Sequence, residues 1–110
     1  MKRLRKTKEF DSVFQSGKSY ANKYFVIYLS KNSLGANRIG VSVSKKIGNS
    51  VVRHRMKRLI KESFRLHEDM FNSGLDIVVI VRQSATMLSF QEVKDALIHL
   101  MKLHHAVKPV

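Results

Sequence analysis

One stretch limits the architecture more than any other: DIVVIVR, Asp76 to Arg82. Its apolar residues run almost without interruption instead of alternating. That is the pattern of a strand covered on both faces, and so central in a sheet rather than at its edge. RIGVSVS, Arg38 to Ser44, alternates strictly, with Ile39, Val41 and Val43 on one side and Arg38, Gly40, Ser42 and Ser44 on the other. The second side is either solvent-exposed or a floor of small residues that another part of the chain approaches closely. KYFVIYLS, Lys23 to Ser30, is rich in β-branched and aromatic residues and reads as a strand, with Phe25, Ile27 and Leu29 opposite Tyr24, Val26 and Tyr28.

Helical periodicity occupies the segments between. Thr7 is expected to cap a short helix in which Glu9 and Asp11 favour the positive first turn, Phe10, Val13 and Phe14 share one side, and Gly17 ends it. From about Asn49 to His67, Val52, Met56, Leu59, Ile60 and Ser63 fall on one side of a helix, and Arg53, Lys57, Arg58, Lys61 and Arg65 on the other. Ser89 and Glu92 form a capping box before a last helix whose stripe is Val93, Ala96, Leu97, Leu100 and His104. At 110 residues the chain can build one core, so a single α+β domain over residues 1–110 is expected. Residues 1–8 read as a frayed basic arm and residues 105–110 as a mobile tail.

The charge narrows the function. The chain carries 21 Lys and Arg against 8 Asp and Glu, a net charge of +13. The whole excess lies in residues 1–68, since residues 69–110 are balanced. Such an imbalance costs self-repulsion in the folded state and points to a polyanionic partner. No run of about 18 apolar residues is present to span a bilayer, and the basic start MKRLRKTKEF is not followed by an apolar signal region, so a cytoplasmic protein without a membrane partner is expected. The absence of Cys removes disulfides and thiolate metal sites.

Candidates for catalysis are missing. The carboxylates form no acid/base pair legible in the sequence, and the His residues lack the spacing of a zinc helix. No nucleophile elbow or phosphate-binding Walker loop occurs. No catalytic residue and no metal ligand is therefore assigned. What remains is KKIGNSVVRHRMKRLIK, Lys45 to Lys61, with seven Lys or Arg and no acid. Gly48 can turn at no steric cost, Asn49 or Ser50 can cap, and the first amides of the following helix point at an anion. Arg53, Lys57 and Lys61 recur once per turn, ~5.4 Å apart, and can follow successive phosphates of one strand. A merely soluble face would mix signs. The apolar residues between the charges anchor a rigid helix and so fix the geometry of its cations. Phe10, Phe14 and Tyr28 are either core or a stacking platform for unpaired bases.

The segment Lys45 to Phe64 resembles the signature of the bacterial ribonuclease P protein subunit, in which Lys-x-Gly-Asn leads into an Arg-Asn-Arg helix. EFDSVFQSGKSYANKYFVIY, RIGVSVS and DIVVIVRQSA extend the resemblance in the same order over nearly the whole chain. His54 stands where that family usually has Asn. The resemblance implies an αβββαβα sandwich with a central sheet, similar to the second domain of ribosomal protein S5, and an unusual left-handed βαβ crossover. It also implies a ribonucleoprotein whose RNA, with Mg²⁺ held mainly by that RNA and the substrate, removes the 5′ leader of precursor tRNA. The chain would bind and position, and no protein partner would be required. Lys45, Lys46, Asn49, Arg53, Arg55, Lys57, Arg58, Lys61 and Arg65 would face the catalytic RNA, and Phe10, Phe14 and Tyr28 would receive the leader.

Two other classes share part of this pattern. A ribosomal or structured-RNA chaperone protein would have the basic helix but no preference for a 5′ extension. A protein-only nuclease would need acidic metal ligands that the sequence does not offer.

Overall fold

The computed structural model describes residues 1–109. Its elements are β1 (Lys2–Arg3), α1 (Thr7–Ser16), β2 (Lys18–Ala21), β3 (Phe25–Lys31), β4 (Arg38–Ser42), α2 (Ser50–Leu66), β5 (Leu75–Val81) and α3 (Phe90–Leu103). The five strands form one mixed sheet in the order β1-β4-β5-β3-β2. β4 is parallel to β1 and β5, whereas β3 is antiparallel to β5 and β2. The apolar run thus occupies the middle strand, where every residue of β5 but Ile80 is buried. With α2 as the crossover between neighbouring parallel strands, the chain has the mixed α+β architecture implied by the resemblance.

Each face of β5 has its own cover. Ile77, Val79 and Val81, with Phe25, Ile27, Ile39 and Val41 of the flanking strands, pack against Met56, Ile60 and Phe64 of α2 and the buried stripe of α3. On the opposite face Val78 packs with Leu4 and with Val13 of α1, and Phe10 and Tyr28 close this smaller cluster. Fully burying each such large apolar side chain contributes about 1.5–3 kcal/mol, so the two-helix side dominates stability.

The α1 face also carries a polar network. Arg38 and Asp76 are register partners on β4 and β5. The Arg38 guanidinium donates to both Asp76 carboxylate oxygens at 2.8 and 2.7 Å, and to Glu9 of α1 at 2.8 Å. Asn32 Nδ2 adds a 2.8 Å bond to Asp76. The other Glu9 oxygen accepts the amides of Arg5 and Lys6, each at 2.9 Å. One carboxylate therefore caps α1 and ties it to the sheet.

Several boundaries differ from expectation. The basic arm is not frayed: Lys2 N donates to Asn37 O at 3.1 Å, Leu4 N to Ile39 O at 2.8 Å, and Leu4 is buried. Thr7 is the first helical residue rather than the cap, which is Lys6. Nor are residues 106–108 loose. Ala106 is buried, Val107 bridges to Phe71, and Lys108 N donates to Met70 O at 2.7 Å. Val110, the last residue of the expected tail, lies outside the described residues.

Candidate nucleic-acid interface

The cationic helix is built as a rigid presenter. Asn49 caps α2, its side-chain oxygen accepting the Val52 amide at 3.0 Å, so Asn49 rather than Ser50 is the cap. No acid occupies the first turn, which leaves the positive end of the helix uncompensated. Gly48 does not turn; its backbone is extended. A Cβ there would lie 3.0 Å from Val52 Cβ, so the missing side chain lets the approach segment lie against α2. Met56, Ile60, Ser63 and Phe64 form the buried underside.

The structure divides the nine expected RNA-facing residues. Lys57, Arg58, Lys61 and Arg65 line one groove of about 390 Å³ between α2 and the start of the chain, joined there by Arg3 and His54. Burial first, then the charges of Arg3, Lys57 and Arg5, push the Lys61 ammonium below the ordinary lysine range. Lys45 and Lys46 are exposed in the turn preceding Gly48. Arg65 is exposed but paired to Glu62 one turn back, with Nε donating at 3.1 Å. Arg53 is half-buried, and its Nε lies out of solvent without a hydrogen-bond partner.

Arg55 lines an open groove beside Ser50, Val51 and Arg58, but its guanidinium is engaged within the protein. Its Nη1 donates to Thr86 O at 3.4 Å and its Nη2 to Leu88 O at 3.2 Å, so it fastens the turn after β5 to α2. Asn49 and Arg55 thus have identified structural work inside the protein.

A second concavity, of about 380 Å³, lies between α1 and the edge of β4. Phe10 and Phe14 line it, with Val41, Val43 and Asp11. The strand floor remained open in the sequence, and Phe10 resolves it: a Cβ on Gly40 would run into the Phe10 ring. Tyr28 stands behind the cleft, half-buried, its ring edge-on to Phe14 with centroids 4.9 Å apart. It supports Phe14 rather than lining the cavity. Lys57 lines both this cleft and the cationic groove. That double position, and the recruitment of Arg3, escaped sequence reasoning because both depend on how the first strand and helix pack beside α2.

Among the described residues no three His, Cys, Asp or Glu converge as metal ligands, and no helix is long and apolar enough to cross a membrane.

Fold and site together define a compact α+β protein that presents a cationic helix beside an aromatic cleft. Comparison with known proteins gives the family. The ribonuclease P family model matches residues 1–105. The ribonuclease P protein component of Lachnoclostridium phytofermentans is 52% identical over 104 residues, covering 94% of this chain and 90% of the relative. That of Bacillus cereus is 50% identical over 101 residues, covering 91% and 88%. Among solved structures, the Staphylococcus aureus RNase P protein superposes with a TM-score of 0.90 at 35% identity, covering 98% of this chain and 99% of the other. The Thermotoga maritima protein gives 0.86 at 34%, covering 94% and 97%. The chain belongs to the ribonuclease P protein component family. It is a subunit of ribonuclease P, a tRNA-processing enzyme, and works with an RNA subunit.

Proposed function

We propose that the exposed face of α2 holds the RNA subunit and that the cleft beneath α1 receives the single-stranded 5′ leader of precursor tRNA. Lys45, Lys46, Arg53, Lys57, Arg58 and Lys61 engage phosphates, with Asn49 and Arg55 keeping helix and turn in place and Arg65 serving from its pair with Glu62. Phe10 and Phe14 offer faces to unpaired bases, each stack contributing about 1–3 kcal/mol, while Tyr28 holds Phe14. The observation that carries this is Lys57, which lines groove and cleft alike. A strand bound in one is thereby led to the other.

The chain's own donor set does not fit a catalytic metal, since its carboxylates are committed elsewhere or scattered: Asp76 and Glu9 to Arg38, Glu62 to Arg65. Mg²⁺ is accordingly assigned to RNA and substrate, and no step is routed through this protein. The work of the chain is to bind, orient and neutralise phosphate charge, in the cytoplasm and without a further protein partner.

The test is cleavage of a 5′-extended tRNA by the chain alone, by the cognate RNA alone at high Mg²⁺, and by both at low Mg²⁺. Efficient cleavage at low Mg²⁺ is expected only from the mixture. Within it, Phe14→Ala lowers the preference for precursor over mature tRNA. Equal losses on the two substrates would remove the leader cleft.

A further inference from the structure

His54 is exposed on α2 at the meeting of two open grooves. It shares one with Arg3, Lys57, Arg58 and Lys61, and the other with Ser50, Val51, Arg55 and Arg58. Glu62 is the one carboxylate lining either groove, and Arg65 engages both its oxygens. The Met1 amino group at the groove edge pairs with Glu68 at 3.3 Å. Arg55 is turned onto two carbonyls. The charges left facing His54 are thus Arg3, Lys57, Arg58 and Lys61, with no carboxylate partner among the described residues.

We infer that His54 is an additional RNA-binding residue whose contact depends on a proton: its imidazolium joins Arg3, Lys57, Arg58 and Lys61 in binding the RNA phosphates that run along the groove, so phosphate binding and protonation of His54 reinforce each other. The inference rests on the proposal that α2 faces RNA. Lysine and arginine are charged at all physiological pH values, whereas histidine is the side chain whose charge changes within that range. A phosphate in the groove gives a protonated imidazole a charge-assisted hydrogen bond that a neutral one cannot match. By thermodynamic reciprocity RNA binding then takes up a proton. The state of Lys61, disfavoured as a cation by burial and by Arg3, Lys57 and Arg5, marks the same groove as short of negative charge.

The measurement is affinity for the cognate RNA subunit between about pH 8 and about pH 5.5, for the full chain, His54→Asn and His54→Lys. Because His54 is exposed, neither substitution disturbs the core. Affinity of the unaltered chain rises as pH falls, by at most about tenfold per pH unit for one linked proton. His54→Asn loses that excess rise, and His54→Lys keeps the acid-side affinity throughout. The log–log salt slope of the unaltered chain steepens at acid pH by about 0.7–0.9, one phosphate contact, and that of His54→Asn does not. Identical pH profiles for the unaltered chain and His54→Asn would overturn the role of His54. Affinity that ignores salt at every pH in all three proteins would overturn the RNA-facing helix itself.

Discussion

Phe10 of α1 sits on the bare backbone of Gly40 in β4, at a spot where a β-carbon would collide with its ring and lie 3.2 Å from Leu4 Cβ. The contact joins α1, the segment after β1 and the sheet beside the aromatic cleft, which Phe10 lines. Backbone strain has no part in it, because Gly40 is an ordinary strand residue. Gly40→Ala is therefore an overpacking substitution, expected to cost about 1–3 kcal/mol. Combining it with Phe10→Ala should restore part of the loss, a coupling that a double-mutant cycle of denaturant unfolding measures directly. Simple additivity would show that ring and glycine do not meet.

Asp76 provides a second prediction. Burial by itself raises its carboxyl, but the hydrogen bonds and charge of Arg38 and the bond from Asn32 outweigh it and hold the group below the usual aspartate range. A depressed folded-state value contributes stability that is present above the unfolded value of about 3.9 and disappears as pH falls through the folded one. Asp76→Asn should lower stability at neutral pH by about 1–3 kcal/mol, since it takes the charge away from the two bonds that the half-buried Arg38 makes to this buried side chain. The deficit relative to the unaltered chain should shrink below about pH 4. A constant deficit down to strongly acid pH, read by urea titration, would assign the loss to packing instead.

How much of this was legible in the sequence depended on side chains repeating with a period. β5 announced itself through an almost unbroken apolar run, β4 through strict alternation, and α3 through Ser89 and Glu92, whose reciprocal bonds are both present. β2 carries no such signal, because all four of its residues are exposed and its pairing with β3 is made by backbone. β1 is two residues held through the amides of Lys2 and Leu4, groups that every sequence has. The site divided the same way. The α2 ridge followed from helical spacing, whereas the diversion of Arg55 involves carbonyls 31 and 33 residues away. The sequence offers no marker for that turn's position.

Arg55 and Lys57, two residues apart, should consequently fail in different ways. Arg55→Ala removes two donors from the carbonyls of Thr86 and Leu88 and should destabilise the fold by about 1–3 kcal/mol, leaving the salt dependence of RNA binding nearly unchanged. Lys57→Ala touches an exposed side chain, so stability should stay within about 0.5 kcal/mol. Its log–log salt slope should fall by about 0.7–0.9. Thermal unfolding and RNA titration at several salt concentrations separate the two, and a slope change in Arg55→Ala equal to that in Lys57→Ala would return Arg55 to the RNA face.

His104 lies at the β2 edge of the sheet, at the end of α3. Its Nε2 lies 2.8 Å from Ile27 O, and its ring stands edge-on to Tyr20 of β2 with centroids 4.7 Å apart. Burial pushes its imidazole below the ordinary histidine range, against the bond to Ile27. The unfolded chain then takes up this proton first, so folding stability should decline as pH drops below about 6.5 and level off once the folded protein is protonated too. The other four histidines do not share this buried bond to the sheet. Replacing His104 with Gln, whose amide can still donate to Ile27 O, should therefore flatten the decline between neutral pH and about pH 5 while retaining most of the stability at neutral pH. Denaturant unfolding at a series of pH values measures both quantities. If the slope of stability against pH were the same in His104→Gln as in the unaltered chain, the proton would have to be taken up somewhere else.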